Sequence, residues 1–242
     1  LLMEGDIYIP YAVEVEGQII KLFDDVNHVP AEDSQPTRSD ARWVKIRRPF
    51  IVVGGELTMD GLDLVYNQDY KFYEAPYQVK ANCGIFLIDD FGRQTVRPAD
   101  LLNRWIVPLE KRIDFMTLHT GRKIEIPFEV LIVFSTNLEP RELVDEAFLR
   151  RIRHKIEVHD PSWEEFAEIF KRVAKTKNIA YSEPALAYLI REHYIKPNRP
   201  PRACHARDLL DQIIDIANYL SVPATLSKEL IDRAAFSYFV NF

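Results

Sequence analysis

An α/β domain followed by an all-helical region is the fold class that this sequence predicts. Two continuous apolar runs, Gly84–Ile88 and Val130–Ser135, are typical of strands that are buried on both faces of a parallel sheet. Between them, residues 98–112 place apolar side chains at helical spacing behind a proline. After Asp160 the pattern is helical almost throughout. We therefore expect an α/β core at residues 1–159 and a helical domain at residues 160–242.

Turn residues place the remaining strands of the first half. Glu16-Gly17 separates two apolar stretches and predicts a hairpin over Tyr8–Phe23, and Gly121 does the same for a hairpin over Thr117–Ile126. Phe50–Gly55 is a short apolar stretch that ends at glycines, and it predicts a further strand. The polar segment 30–40 lacks periodicity and indicates a surface loop.

The second half opens on a helix start signal. Ser162 and Glu165 have the spacing of a capping box, and apolar residues then follow at helical intervals. Further helices are expected at about Glu183–Tyr194, Ala206–Leu220 and Ser227–Val240, which together form a small bundle.

Composition excludes several classes of protein. The 242 residues are 47% hydrophobic with a net charge of −6, which argues against nucleic acid as the main partner. The sequence contains no apolar run of about eighteen residues, so it predicts no membrane-spanning segment. The six histidines have no metal-ligand spacing, and Cys83 and Cys204 suit a reduced cytoplasmic protein better than a disulfide framework.

Acidic and amide side chains follow the two apolar runs. Asp89 and Asp90 come directly after Ile88, at the carboxyl end of a strand, where ligands bind in open α/β sheets. Phosphoryl transfer from ATP needs Mg²⁺ and a carboxylate that orients the attacking water. Asp89 is the candidate that holds the metal through water, and Asp90 is the candidate base. Apolar runs that end in acids are also common in ordinary polar turns.

The second run ends in Ser135-Thr136-Asn137, and the Asn137 amide is suited to hydrogen-bond both the attacking water and the γ-phosphate. Two arginine-bearing stretches follow, residues 145–152 and residues 203–210. This order of motifs resembles that of the AAA+ ATPase superfamily. In that resemblance Asp89 and Asp90 match Walker B, and Asn137 matches sensor 1.

Within the same resemblance, Arg151 matches the arginine finger and Arg207 matches the sensor 2 arginine of the helical lid. Arg150 is the alternative finger, and a solvated basic turn is the alternative to both. Arg207 is also placed to pair with Asp208 or Asp211 on its own helix.

The resemblance implies ATP and Mg²⁺ as cofactors and a homo-oligomeric ring, expected to be a hexamer, that remodels or assembles a protein partner. Two other functions stay open: a nucleotide-responsive scaffold that hydrolyses little ATP, and a DNA initiator or helicase loader. Residues 57–76 and the stretch Asp160–Glu165 are similar to the MoxR-type branch. That branch usually has Asp-Glu where this chain has Asp89-Asp90.

No GxxxxGK[ST] motif occurs in the sequence. The resemblance places that phosphate-binding loop upstream, so we expect a preceding strand, loop and helix in the native protein, and little activity from this chain alone. It also implies a final strand at about Lys155–Val158, separated by a gap from the sensor 1 strand.

Some other side chains have open interpretations. Arg93 is expected to contact phosphate, a neighbouring subunit or a surface carboxylate. Tyr70, Phe72, Tyr73 and Tyr77 form either part of the core or a substrate-gripping insert. Trp105 is expected to pack behind the Asp89 strand, and His119 is expected to be exposed.

Overall fold

The computed structural model describes residues 4–32, 40–139 and 149–239 of the chain. Residues 1–155 form one compact unit and residues 156–242 form another. Residues 33–39, which make up most of the loop predicted at 30–40, lie outside the described residues. The first unit contains two separate hydrophobic cores, and the second unit has one of its own.

The described part of the first unit combines short strands with two α-helices. The strands are β1 (Asp6–Pro10), β2 (Ala12–Val15), β3 (Gln18–Lys21), β4 (Trp43–Arg47), β5 (Phe50–Val53), β6 (Val65–Asn67), β7 (Phe72–Glu74), β8 (Ile85–Ile88), β9 (Ile113–Thr117), β10 (Lys123–Pro127) and β11 (Leu131–Phe134). The helices are α1 (Tyr77–Lys80) and α2 (Pro98–Lys111), and a 3₁₀ turn spans Asp60–Leu62.

Three strands form the parallel sheet that the apolar runs predict. Their order is β11-β8-β5, with both pairings parallel. Gly84 directly precedes β8, and a Cβ at this position would lie 2.1 Å from the carbonyl oxygen of Pro49, so only glycine lets these two segments approach. The predicted strands at 50–55, 84–88 and 130–135 are thereby confirmed.

One face of this sheet packs against α2. Ile51 and Val53 of β5 and Phe86 and Ile88 of β8 are buried in this core. Trp105 of α2 is also fully buried, and its ring meets Phe86 edge-on at 5.8 Å between centroids. The predicted helix and the predicted place of Trp105 are both confirmed.

The other face of the sheet corrects the expectation of burial on both sides. Phe50 and Val52 are each 48% exposed, Leu131 is 43% exposed and Val133 is 38% exposed. The continuous apolar run therefore produces an apolar face that is largely accessible to solvent, although parallel sheets ordinarily bury both faces.

The two predicted hairpins are also confirmed. β2 pairs antiparallel with β3, and Glu16 (φ 55°) and Gly17 (φ 76°) form the turn between them. β9 pairs antiparallel with β10 around a turn that includes Gly121. The sequence did not reveal that β2 and β3 continue into a four-stranded sheet with β7 and β6, nor that β1 pairs with β4.

The strand expected at Lys155–Val158 is wrong. These residues have no regular secondary structure, and Ile156 and Val158 are 86% and 88% exposed. Their apolar–polar alternation is that of a strand, but a strand also needs a hydrogen-bonding neighbour. Within the described residues, β11 is the last strand of the parallel sheet and is paired only with β8.

The second unit is a helical bundle. Its helices are α3 (Trp163–Thr176), α4 (Glu183–Ile190), α5 (Ala203–Leu220) and α6 (Lys228–Tyr238), and a π-helical turn over Arg191–Ile195 continues α4. Ser162 and Glu165 form the predicted capping box at the start of α3. Within the described residues, no helix combines the length and the apolar composition needed to cross a bilayer.

Candidate active site

The strand register brings three chain segments to one edge of the parallel sheet. Val53, Ile88 and Phe134 lie side by side in register at the carboxyl ends of β5, β8 and β11. The residues that follow these strands, among them Asp89 and Ser135, therefore meet at the same edge. This is the edge at which ligands bind in open α/β sheets.

Asp89 is held by both neighbouring strands. Its N–H donates to the carbonyl of Val53 (2.8 Å), which extends the sheet ladder by one residue. The Ser135 hydroxyl donates to Oδ1 of the Asp89 carboxylate. The candidate metal ligand therefore has a defined backbone and a defined side-chain contact.

Asp90 begins a tight turn. Its φ is 53°, in the left-handed region that few side chains adopt readily. Its side chain is 54% exposed, and Oδ1 lies 3.5 Å from Nε of Arg93. Of the contacts proposed for Arg93, the structure thus contains the one with a carboxylate, and that carboxylate belongs to the candidate base.

The turn after Asp90 is closed by Gln94, which the sequence did not single out. Its side-chain amide donates to the carbonyls of Asp89 (2.9 Å) and Asp90 (3.2 Å), and its oxygen accepts from the N–H of Gly92 (2.8 Å). Phe91, which is 3% exposed, anchors the turn in the core. The signal available in the sequence was a glutamine, Gln94, four residues after Asp90, from where its side chain can bond back to the turn.

Asn137 lies at the same edge and is exposed. Within the described residues its side-chain amide makes no hydrogen bond to the protein. The neighbouring Thr136 hydroxyl donates to the carbonyl of Phe91 (2.8 Å) and accepts from the N–H of Leu138 (3.1 Å). The segment that carries Asn137 is thus tied to the segment that carries the two aspartates.

A third carboxylate, Glu56, follows β5. Its Oε1 accepts from the N–H of Gly54 (2.9 Å), and this bond, with a second one to its own N–H, lowers the pKa of Glu56. In the sequence, Gly54 and Gly55 mark only the end of the predicted strand. The glutamate was missed because nothing local shows that β5 and β8 are adjacent.

The residues present are suited to Mg²⁺. Within the described residues, no three His, Cys, Asp or Glu side chains converge on one point, so the protein does not form a complete cage. Mg²⁺ is commonly bound by one or two carboxylates, with waters and substrate phosphates completing the shell. Asp89, with one oxygen held by Ser135, is the residue that fits this pattern.

Arg151 and Arg207 each form an ion pair with a carboxylate outside the Asp89–Asp90 pair. Nε of Arg151 lies 2.6 Å from Oε1 of Glu110, near the end of α2, and the Arg151 side chain is 27% exposed. The stretch that precedes Leu149 lies outside the described residues. Arg207 belongs to the second unit, where it is exposed on α5 and pairs with Asp208 (3.0 Å), as the sequence had allowed. The structure therefore groups Asp89, Asp90 and Asn137 and places each arginine in a local ion pair.

Two comparisons with known protein sequences gave different results. The profile of a domain of unknown function, DUF8689, matches residues 162–237 in the helical unit. A comparison with curated protein sequences finds no match.

Among solved structures, NtrX from Brucella abortus in complex with ATP matches with a TM-score of 0.51 and 14% identity, over 80% of this chain and 45% of the NtrX chain. A second NtrX structure matches with a TM-score of 0.50 and 15% identity, over 75% and 44% of the two chains. A RuvB mutant from Thermotoga maritima gives a TM-score of 0.46 at 15% identity, over 79% and 54%.

The chain thus spans less than half of the NtrX chains that it matches. Identities at this level bear on the fold alone. A parallel α/β sheet followed by C-terminal helices, which matches the fold of the two NtrX structures, confirms the expected fold class: the chain has the fold of the AAA+ ATPases.

Proposed function

We propose that this chain is part of a cytoplasmic AAA+ ATPase that couples Mg-ATP hydrolysis to the remodelling or assembly of a protein partner. The observation that carries the proposal is that the segments carrying Asp89, Asp90 and Asn137 meet at the carboxyl edge of the parallel sheet. The fold and the match to NtrX in its complex with ATP support it.

Each of the three side chains has a separate role in the proposal. Mg²⁺ supplies charge neutralisation for the phosphates, and Asp89 would hold the ion through water. Asp90 would accept a proton from the attacking water. The Asn137 amide, which has no hydrogen bond within the described part of the protein, is free to contact that water and the γ-phosphate.

The arginines extend the proposal to an oligomer. An arginine finger acts on the nucleotide of a neighbouring subunit, so Arg151 in this role requires a ring, for which we propose a hexamer. Arg151 would then exchange its bond to Glu110 for a phosphate contact.

We propose that Arg207 senses nucleotide from the lid. The similarity of residues 57–76 to MoxR-type proteins motivates placement in that branch.

A second candidate function is a nucleotide-responsive scaffold that hydrolyses little ATP. The contact between Asp90 and Arg93 favours it, because it occupies the carboxylate that would otherwise contact the attacking water. An Asp at this position is also one methylene shorter than the usual Glu.

The test is ATP turnover by the native protein with single substitutions. Asp90→Asn is expected to reduce kcat by about a hundredfold or more while Mg-ATP binding persists, because only the base is lost. Asp89→Asn is expected to weaken Mg²⁺-dependent binding instead. Near-normal turnover by Asp90→Asn would overturn the base assignment, and binding without turnover by the unsubstituted protein would favour the scaffold.

A further inference from the structure

We infer that Ser135 is a positioning residue for Asp89: its hydroxyl fixes the carboxylate in the orientation that receives the metal-bound water. The inference rests on the proposed function, since it concerns how the same site holds Mg²⁺. Ser135 was not among the residues that the motifs pointed to.

The backbone of Ser135 is fixed from both sides. Its N–H donates to the carbonyl of Ile88 (3.0 Å), which continues the β8–β11 ladder past the end of the strands. Its carbonyl accepts from the N–H of Phe91 (2.7 Å). The serine therefore bridges the two residues that flank Asp89 and Asp90, and its Cβ direction is set by the sheet.

The hydroxyl makes both of its hydrogen bonds to the acidic pair. It donates to Oδ1 of Asp89 and accepts from the N–H of Asp90 at 3.4 Å. The proton of the hydroxyl is thereby directed at the carboxylate. Within the described residues Oδ2 of Asp89 has no hydrogen bond, so that oxygen remains available to a metal-bound water.

A contact of this kind orients a metal ligand and restricts its rotamers. Hydrogen-bond partners behind a ligating carboxylate typically affect metal affinity by about 10–100-fold. Without the hydroxyl, the Asp89 carboxylate at an exposed sheet edge would sample several rotamers, and binding would have to select one of them.

Thr136 provides a matched control on the next residue. Its hydroxyl also bonds within this turn, to the Phe91 carbonyl and the Leu138 N–H, but it contacts neither carboxylate. A purely structural role of the turn predicts similar effects from losing either hydroxyl. Positioning of Asp89 predicts an effect from Ser135 alone.

The experiment measures Mn²⁺ binding to the native protein by electron paramagnetic resonance in the presence of saturating ATP, with Mn²⁺ as the probe. Ser135→Ala is expected to weaken the affinity by about 10–100-fold. Ser135→Thr, which keeps a hydroxyl, should restore most of it, and Thr136→Val should leave it nearly unchanged. Thermal unfolding followed by circular dichroism verifies that each variant folds, and Ser135→Cys replaces the alanine variant if that one does not.

A second readout is ATP turnover by the same protein. Because the defect of Ser135→Ala lies in holding the metal, excess Mg²⁺ should recover much of its ATP turnover, whereas it should not rescue Asp90→Asn. Equal Mn²⁺ affinity of Ser135→Ala and the unsubstituted chain, or equal losses in Ser135→Ala and Thr136→Val, would overturn the inference alone. Absence of Mn²⁺ binding by the unsubstituted chain would overturn the metal role of Asp89 and the inference with it.

Discussion

Asp90 has a backbone conformation that ordinary side chains seldom adopt. Its φ of 53° lies in the left-handed region, which costs most L-residues roughly 1–2 kcal/mol, while Asn and Asp are the side chains that visit it most often. An aspartate at this position therefore serves two purposes: it tolerates the turn and it presents a carboxylate. A glutamate at this position would lack the first advantage.

Stability measurements separate these two purposes. Asp90→Asn is expected to keep the free energy of unfolding nearly unchanged, and Asp90→Gly is expected to do the same, because both residues accept positive φ. Asp90→Ala should lose about 1 kcal/mol in urea denaturation. Equal stability of the alanine and asparagine variants would show that the turn relaxes and that the conformation imposes no requirement.

At the scale of elements, the four-residue helix α1 depends on a histidine from outside it. His28 is buried, and its Nδ1 accepts from the N–H of Asp24 (3.0 Å), so its proton is on Nε2, which donates to the carbonyl of Lys80 at the end of the helix (2.9 Å). The Lys80 ammonium in turn bonds the Asp24 carboxylate (2.7 Å). Because Nδ1 accepts a hydrogen bond, it carries no proton, so the imidazole in this arrangement is neutral.

Burial lowers the pKa of His28, and the opposing effects of the Lys80 carbonyl and the Asp24 carboxylate do not overcome it. The unfolded chain takes up a proton near pH 6.5, about the ordinary histidine value, while the folded protein remains neutral to lower pH. Unfolding is therefore favoured as the pH falls. Burial alone would raise the pKa of Asp24, but its hydrogen bonds from Lys80, Asn27 and Val26 hold it well below the usual range, so its contribution is lost only in stronger acid.

We expect the urea midpoint to fall between pH 7.5 and pH 5.5, and to fall less in His28→Gln, which has no proton to take up when it unfolds. His159→Gln is the control, because His159 is largely exposed and should retain the unsubstituted pH dependence. An unchanged pH dependence in His28→Gln would contradict this account.

At the scale of the whole molecule, the second unit has the properties of an independent folding unit. Its core joins α3, α5 and α6 through residues such as Phe166, Leu210 and Ile231, all nearly or fully buried. Tyr194 from the π-helical turn completes this core, with its hydroxyl buried and without a hydrogen bond in the described structure. The first unit, by contrast, has an apolar sheet face that is accessible to solvent.

Residues 156–242 expressed alone are therefore expected to be helical and to unfold cooperatively in circular dichroism. Leu210→Ala should destabilise this fragment by about 2–5 kcal/mol, because it opens a cavity in the core. Tyr219→Ala, at a side chain that is 88% exposed, should change stability by less than about 0.5 kcal/mol. A fragment without cooperative unfolding would show that the bundle depends on the first unit.

Local patterns were sufficient for much of the fold. The apolar runs at 84–88 and 130–135, the helical spacing behind Pro98 and the capping box at Ser162 each depend on residues close in sequence, and each element formed as predicted. The strand at Lys155–Val158, which the family resemblance had implied, did not form. A strand is completed by hydrogen bonds to a neighbour, and local sequence carries no information on whether one is present.

Local sequence patterns could not predict which distant segments pair as neighbouring strands. β3 lies parallel to β7, with Ile20 opposite Tyr73, and both strands are too short to show a period. Ser135 was missed as part of the candidate site for a related cause: its proximity to Asp89 follows from the pairing of β8 with β11.

The sequence by itself determined the strands of the parallel sheet, both hairpins, α2 and the helices of the second unit, and which polar residues follow the apolar runs, because propensity and periodicity act over a few residues. Only the tertiary structure decided that β8 lies between β5 and β11 in register. That order brings the Ser135 hydroxyl to the Asp89 carboxylate. The physical reason is that the pairings of β8 with β5 and with β11 join residues that are 35 and 46 positions apart in the sequence.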